Sequence, residues 1–167
     1  MELSFSYVIS QVLVIIYYII YSSTYHLKNN NKILKYEIIA TIISAISYIF
    51  LDEYTGMAMC VVAIIRNLLF TKDKKSTTNL IIIITLTIIC SIFTFNSYFC
   101  LFNIVATIIY TYALWQKNTK IYKLLGIIVN GLMIIYDVYI KSIFGVILIT
   151  ISFISSIIGY LREIRNK

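Results

Sequence analysis

The chain has 167 residues, of which 60% are hydrophobic and 13% charged, with a mean hydropathy of +0.91 and a net charge of +7. Soluble domains carry about 45–50% apolar and about 25% charged residues, so this composition excludes a water-soluble protein. The apolar residues come in long blocks, and a bilayer core about 30 Å thick needs about 20 helical residues. Runs such as 80–90, LIIIITLTIIC, do not alternate in polarity, which excludes a membrane-spanning β-barrel.

The blocks predict an all-α membrane protein with seven transmembrane helices. In chain order the predicted helices cover 5–24, 33–51, 54–71, 78–95, 98–115, 121–138 and 142–161. The break between the second and third helices is short, but Asp52 and Glu53 are too costly to bury unpaired in hydrocarbon. A tight turn outside the bilayer core is therefore expected there.

Charges in the breaks predict the orientation, because cytoplasmic segments retain Lys and Arg. Basic residues lie in the breaks after the first, third and fifth helices and in the C-terminal segment. In that order they are Lys28, Lys32 and Lys35; Lys72, Lys74 and Lys75; Lys117, Lys120 and Lys123; and Arg162, Arg165 and Lys167. The other breaks contain Asp52 and Glu53, then FNSY, then Asp137 with Lys141. The pattern predicts an outside N-terminus and a cytoplasmic C-terminus, with the lipid bilayer, and not nucleic acid, as the partner of the positive charge.

An internal repeat is the next feature. A shift of 88 aligns 29–48 with 117–136, matching Asn30 to Asn118 and Tyr48 to Tyr136, and one extra residue then aligns Gly56 with Gly145. We therefore expect a single integral membrane domain, 1–167, made of two parallel three-helix bundles (repeat one, 5–71; repeat two, 98–161) joined by a linker helix, 78–95. This 3+1+3 order occurs in small transporters such as the SWEET carriers.

Three stretches carry a family resemblance: TYHLKNNNKILKYEII (24–39), FLDEYTGMAMCVVAIIRNLLF (50–70) and TIIYTYALWQKN (107–118). Their order resembles the YgjV-type bacterial inner membrane proteins, whose pattern includes an Arg-Asn pair before an apolar-aromatic end and a Trp-Gln-Lys-Asn turn. That family is distantly similar to the SWEET and PQ-loop carriers, which implies a solute site between the bundles. The chain departs from those carriers in having no proline, so Gly126 and Gly131 are the expected weaker kinks.

The Arg66-Asn67 pair lies in the cytoplasmic half of the third predicted helix. Arg66 is expected to extend to the headgroups and to form an interfacial structural ion pair with Glu37, which has a matching depth on the second helix. Asn67 points about 100° away around the helix and is the better candidate for solute contact. Its repeat partner, Ser156, is expected to face it.

Further candidate substrate-binding residues are polar side chains inside the apolar blocks. Asn130 lies near the midplane, Gln11 and Asn103 lie in the outer parts of their helices, and Tyr18, Tyr21 and Tyr25 share one face. The alternative to solute binding is an interhelical hydrogen bond for the amides, worth about 1 kcal/mol, and packing for the tyrosines.

Two functions remain open from the sequence. The first is a transporter or facilitator of a small polar solute, such as a sugar-, nucleoside- or vitamin-like molecule; an inorganic cation is disfavoured because no acidic residue is expected at the midplane. The second is a membrane sensor or assembly subunit that docks a partner through its basic cytoplasmic face. The sequence does not determine the solute or the oligomeric state.

Catalysis is not expected. Cys60, Cys90 and Cys100 lack zinc-ligand spacing, and His26, Asp137 and the serines form no recognisable catalytic pattern. We therefore expect no enzyme activity, no metal and no cofactor.

Overall fold

The computed structural model describes residues 5–72, 76–95, 97–116 and 118–165, and this part of the chain is helical with no strand. The helices are α1 (Phe5–Thr24), α2 (Asn30–Phe50), α3 (Tyr54–Lys72), α4 (Thr77–Thr94), α5 (Cys100–Trp115), α6 (Thr119–Tyr139) and α7 (Ile143–Arg165). The predicted number and order of helices agree with these elements.

Six of the described helices are long and apolar enough to cross a membrane, and α5 is shorter, with 16 residues. The sequence placed the start of α5 at residue 98, whereas the helix begins at Cys100 after a turn. Most of the basic loop residues can be placed beside helix ends. Lys74, Lys75, Lys117 and Lys167 lie outside the described residues.

Asparagine and serine caps set the start of three helices. The Asn29 side chain accepts hydrogen bonds from the backbone N–H groups of residues 31 and 32, and Asn118 does the same for residue 120. Ser76 accepts one from residue 79 at the start of α4. Each cap satisfies backbone donors that the helix leaves unpaired, which fixes where the chain turns back into the apolar layer.

Six helices pack as a closed ring. In ring order these are α1, α2, α3, α5, α6 and α7, and α7 packs against α1 again. Helix α4 lies outside the ring, where it contacts α3 and α5 and buries two of its residues, Ile83 and Thr87. The interior of the ring is therefore formed without α4.

The two turns that follow α2 and α6 have the same backbone conformation, and equivalent residues in the two turns are 89 positions apart in the sequence. Helix α2 begins at 30 and ends at 50, and α6 begins at 119 and ends at 139. Asp52 and Lys141 each have φ of 56°, in the left-handed region. Gly56 and Gly145, in the following helices, are also 89 residues apart.

This register corrects the predicted shift of 88 within α2 and α6. The backbone N–H of Glu53 donates to Tyr48 O at 3.1 Å, and that of Ser142 donates to Asp137 O at 3.1 Å. The structural equivalent of Tyr48 is thus Asp137 and not Tyr136. The sequence alignment was one residue short because it followed lysine and tyrosine identities, whereas helix caps and turns set the backbone register.

Candidate functional site

A cavity of about 90 Å³ lies inside the ring of six helices. Its lining comes from all six and mixes aromatic, hydroxyl and charged side chains. The polar lining residues are Tyr17, Tyr18, Tyr21, Glu37, Thr41, Ser44, Tyr48, Arg66, Asn103, Thr107 and Tyr110. On α3 the lining extends from Gly56 to Arg66, which is about 15 Å along the helix axis. The cavity therefore follows the bundle axis over about half of a bilayer core.

The positions that line the cavity from α1 and from α5 are also 89 residues apart. Tyr17, Tyr18 and Tyr21 line the cavity from α1, and residues 106, 107 and 110 line it from α5. Tyr21 and Tyr110 keep the same residue type, and their ring centroids are 6.2 Å apart. The two helices thus present equivalent faces to the cavity.

Glu37 and Arg66 both line the cavity and are joined through one tyrosine. The Tyr110 hydroxyl donates to Glu37 Oε1 at 2.7 Å. The guanidinium carbon of Arg66 lies 5.1 Å from the centroid of the Tyr110 ring, which is within cation–π range. Glu37 is 3% exposed and Arg66 is 2% exposed, so both charged groups lie in the protein interior.

Glu37 and Arg66, the predicted structural ion pair, do not form a direct contact with each other in the described structure. Within the described ranges, the ion pair shorter than 4.0 Å is Lys123–Glu163, at 2.6 Å. The sequence placed the two charges at matching depth, but it could not show that Tyr110 from α5 would contact both of them. The ring of helices brings this third residue in, because α5 packs against α3.

The predicted headgroup position of Arg66 is wrong. The side chain points into the ring, where its Nε donates to Asn67 Oδ1 at 2.9 Å and its Nη1 donates to Thr111 Oγ1 at 3.4 Å. Asn67 is fully buried, but it does not belong to the cavity lining. Arg66 therefore takes the place in the cavity wall that the sequence assigned to Asn67, and Asn67 orients it.

Hydrogen-bonded tyrosines pack beside the charged end of the cavity. Tyr21 bonds to the hydroxyl of Tyr25 and donates to Asn130 Oδ1 at 2.9 Å. Tyr110 shares a 2.8 Å hydrogen bond with Tyr122, whose ring stacks on Tyr25 with centroids 5.4 Å apart. These residues bring α1, α5 and α6 together at the side of the bundle where α1 ends and α6 begins.

Asp137 lies at the opposite side, near the end of α6. It is 3% exposed, and Tyr18 donates to its Oδ2 at 2.8 Å. Tyr18 also lines the cavity, so a carboxylate and the cavity share this tyrosine. Asp137 and Glu37 are both buried, and both lie toward the ends of their helices and away from the midplane, where the sequence predicted no acidic residue.

The predicted substrate-binding residues separate into two groups. Tyr18, Tyr21 and Asn103 line the cavity, and Asn67, Asn130, Ser156 and Gln11 do not. The members of the second group are buried and hydrogen bonded within the protein: Asn130 to Tyr21, Ser156 Oγ to Phe153 O at 2.7 Å, and Gln11 Oε1 to Phe144 N at 3.1 Å. The bonds of Asn130 and Gln11 are the interhelical hydrogen bonds of the alternative interpretation, whereas Ser156 bonds within its own helix.

Sequence reasoning missed several residues of the cavity wall, including Tyr17, Tyr48 and Tyr110. One signal could have identified Tyr110: it lies 89 residues after Tyr21, the separation at which Gly56 and Gly145 were aligned. No comparable signal marked Tyr17, whose equivalent position 106 is an alanine.

Six long apolar helices and a cavity between helices with charged and hydroxyl side chains in its wall together define a multi-pass helical membrane protein. A family model, Imp-YgjV, described as bacterial inner membrane protein, matches residues 8–167. The chain belongs to this family, which confirms the resemblance seen in the sequence and the assignment to the bacterial inner membrane. Neither the comparison with curated proteins nor the comparison with solved structures gave a match.

Proposed function

We propose that this inner membrane protein moves a small polar solute across the membrane through the central cavity. The observation that supports the proposal is the pair of charged side chains, Glu37 and Arg66, in the cavity wall at 3% and 2% exposure. Charged groups inside membrane-spanning segments are costly and commonly mark a substrate or ion pathway. A packing role alone would be served by apolar side chains at lower cost.

The proposal includes an architecture of two three-helix units related by an approximate two-fold axis along the bundle. Two observations support it: the constant separation of 89 residues between equivalent turns, and the matched contacts in which α1 packs on α7 as α5 packs on α3. Parallel repeats of this kind place a solute site at their interface. The SWEET-like 3+1+3 order, with α4 as the linker, belongs to this proposal.

In this arrangement the tyrosine cluster of Tyr21, Tyr25, Tyr110 and Tyr122 closes one end of the cavity. With the N-terminus outside and the C-terminus cytoplasmic, as the loop charges favour, this closed end faces the cytoplasm. Opening requires the hydrogen bonds between α1, α5 and α6 to separate. A chain with no proline would do this by tilting whole helices, since proline kinks are absent.

The test uses Cys60, which lines the cavity, and Cys90, which is on the outer helix α4. Two variants, one retaining Cys60 alone and one retaining Cys90 alone, are reconstituted in liposomes and screened for uptake of neutral, anionic, cationic and zwitterionic small solutes. Modification of Cys60 by a small methanethiosulfonate reagent should abolish uptake. Modification of Cys90 should leave it unchanged.

Labelling of both cysteines is verified by the mass of the intact protein. Absence of uptake for every class of solute, or uptake that continues when Cys60 is fully modified, would refute the cavity as a transport path.

A further inference from the structure

The cavity wall contains two opposite charges that do not contact each other directly. Arg66 comes from α3 and Glu37 from α2, and Tyr110 contacts both. Arg66 lies six residues before Lys72, the last residue of α3, and Glu37 lies seven residues after Asn30, the first residue of α2. The charges therefore lie at about the same depth, about 9 to 11 Å from these helix ends.

Neutral groups hold each charge in place. Arg66 donates to Asn67 and Thr111, and Glu37 accepts from Tyr110. In the described part of the chain, no hydrogen bond or ion pair uses the second terminal nitrogen of Arg66, Nη2. A guanidinium can bind a carboxylate through two parallel N–H groups, so Arg66 is fixed in position and retains a donor.

We propose that the cavity binds a small zwitterion, with its carboxylate on Arg66 and its ammonium group on Glu37. This inference rests on the proposed function and names the substrate class of the same site. A ligand that carries both charges compensates both side chains at once. A single anion would leave Glu37 without a direct partner, and a neutral solute would bring a counter-charge to neither side chain.

Aromatic rings and cavity size fit the same class of ligand. Tyr17 and Tyr21 line the same cavity as Glu37, and tyrosine faces attract ammonium groups. The volume of about 90 Å³ is well below the several hundred Å³ of sites for drug-sized ligands. The geometry thus favours a ligand of few non-hydrogen atoms, such as a short amino acid.

The experiment measures uptake of radiolabelled glycine into liposomes containing the wild-type protein. Unlabelled competitors are the ω-amino acids from glycine to 5-aminopentanoate, together with acetate, ethylamine and glycerol. One member of the amino-acid series should compete at a concentration about tenfold or more below that of acetate, ethylamine or glycerol, since each of these three lacks at least one of the two charges.

Variants assign the two charges. Arg66→Lys and Glu37→Gln should each raise the half-saturating zwitterion concentration about tenfold or more. Glu163→Gln makes the same chemical change at a carboxylate outside the cavity lining, and this control should have no effect on that concentration. If a variant does not fold, the wild-type competition series still decides the substrate class.

Uptake of a neutral or singly charged solute without competition by any zwitterion would overturn this inference and leave the transport proposal standing. Lack of uptake for every class of solute would overturn both.

Discussion

The first half of the ring, α1 to α3, and the second, α5 to α7, share the backbone of the turns that follow α2 and α6 but surround those turns with different side chains. A Cβ placed on Gly56 would lie 2.7 Å from the Tyr48 ring, so the glycine provides the space for that ring. At the equivalent Gly145, a Cβ would lie 2.5 Å from Ser142 Oγ and 2.9 Å from Asp137 Oδ2. The same space thus holds an aromatic ring in one half and a carboxylate in the other.

The charges of the cavity show the same difference. Glu37 and Arg66 belong to the first half, and the positions 89 residues later are Gly126 and Ser155. The second half instead contributes Asn103, Thr107 and Tyr110 to the wall. The matched turns fix where α2 and α6 end and where α3 and α7 begin, while each half carries its own polar groups.

The largest effect is expected from Gly126→Ala. Gly126 lies 89 residues after Glu37, and the substitution tests whether this glycine is needed to leave space for the Tyr25 ring. A Cβ there would lie 2.5 Å from Tyr25 Cε1 and 2.9 Å from the Tyr25 hydroxyl. Because Tyr25 is fully buried, the ring cannot move freely, and the free energy of unfolding should fall by about 1–3 kcal/mol. Thermal or denaturant unfolding in detergent measures the change.

Gly131→Ala is the matched control for this substitution. The nearest atom to a Cβ at Gly131 is Phe153 Cε2, at 4.0 Å, which is ordinary contact. The control should be neutral or slightly stabilising, because alanine is the better helix former. Equal destabilisation by both substitutions would show that Gly126 makes no special space for Tyr25.

Tyr18→Phe tests how much the hydrogen bond from Tyr18 to the buried Asp137 carboxylate, which has no counterpart in the first half, contributes to stability. The substitution removes the hydrogen bond to Asp137 and leaves that carboxylate without this donor. We expect a loss of about 1–2 kcal/mol in the free energy of unfolding. Tyr17→Phe is the control, since Tyr17 also lines the cavity but its hydroxyl makes no hydrogen bond to the described residues. A similar loss for both variants would contradict the role of the Tyr18–Asp137 bond.

A smaller effect is expected from the Lys123–Glu163 ion pair, which joins α6 to α7. The first half has Leu34 at the position equivalent to Lys123, so this pair is another difference between the halves. A double-mutant cycle with Lys123→Met and Glu163→Gln should give a coupling energy of about 0.2–1 kcal/mol, because one partner is partly exposed. Raising the salt concentration should reduce it. A coupling of zero at low salt would remove the pair from the stabilising contacts.

The smallest effect concerns His26, which follows α1 and bonds to Ser155 at 3.0 Å. Partial burial, together with Arg162 and Lys123 nearby, lowers the pKa of His26 below its ordinary value. The unfolded chain then binds the proton more readily, so this residue reduces stability as the pH falls through about 6.5. His26→Gln should lose less thermal stability than the wild type between about pH 7.5 and about pH 5.5. An identical loss in both proteins would contradict the assignment.

The sequence predicted the helices well because lipid leaves the backbone few alternatives to helix. The block lengths predicted the helices to within a few residues, and the Asn29, Ser76 and Asn118 caps set the exact starts of three of them. The candidate site was predicted less well. Tyr18, Tyr21 and Asn103 were recognised as possible lining residues, whereas Arg66 was directed to the headgroups and Tyr110 was missed.

The sequence by itself therefore determined that this is a bacterial inner membrane protein with seven helices in the predicted order, since hydropathy and spacing are local properties of the chain. Only the tertiary structure decided which polar residues face one another. Arg66 and Asn67 occupy adjacent positions on α3, so rotation of this helix about its axis could point either side chain toward the ring interior. The packing of α5 on α3 fixed that choice by bringing Tyr110 and Thr111 to the arginine.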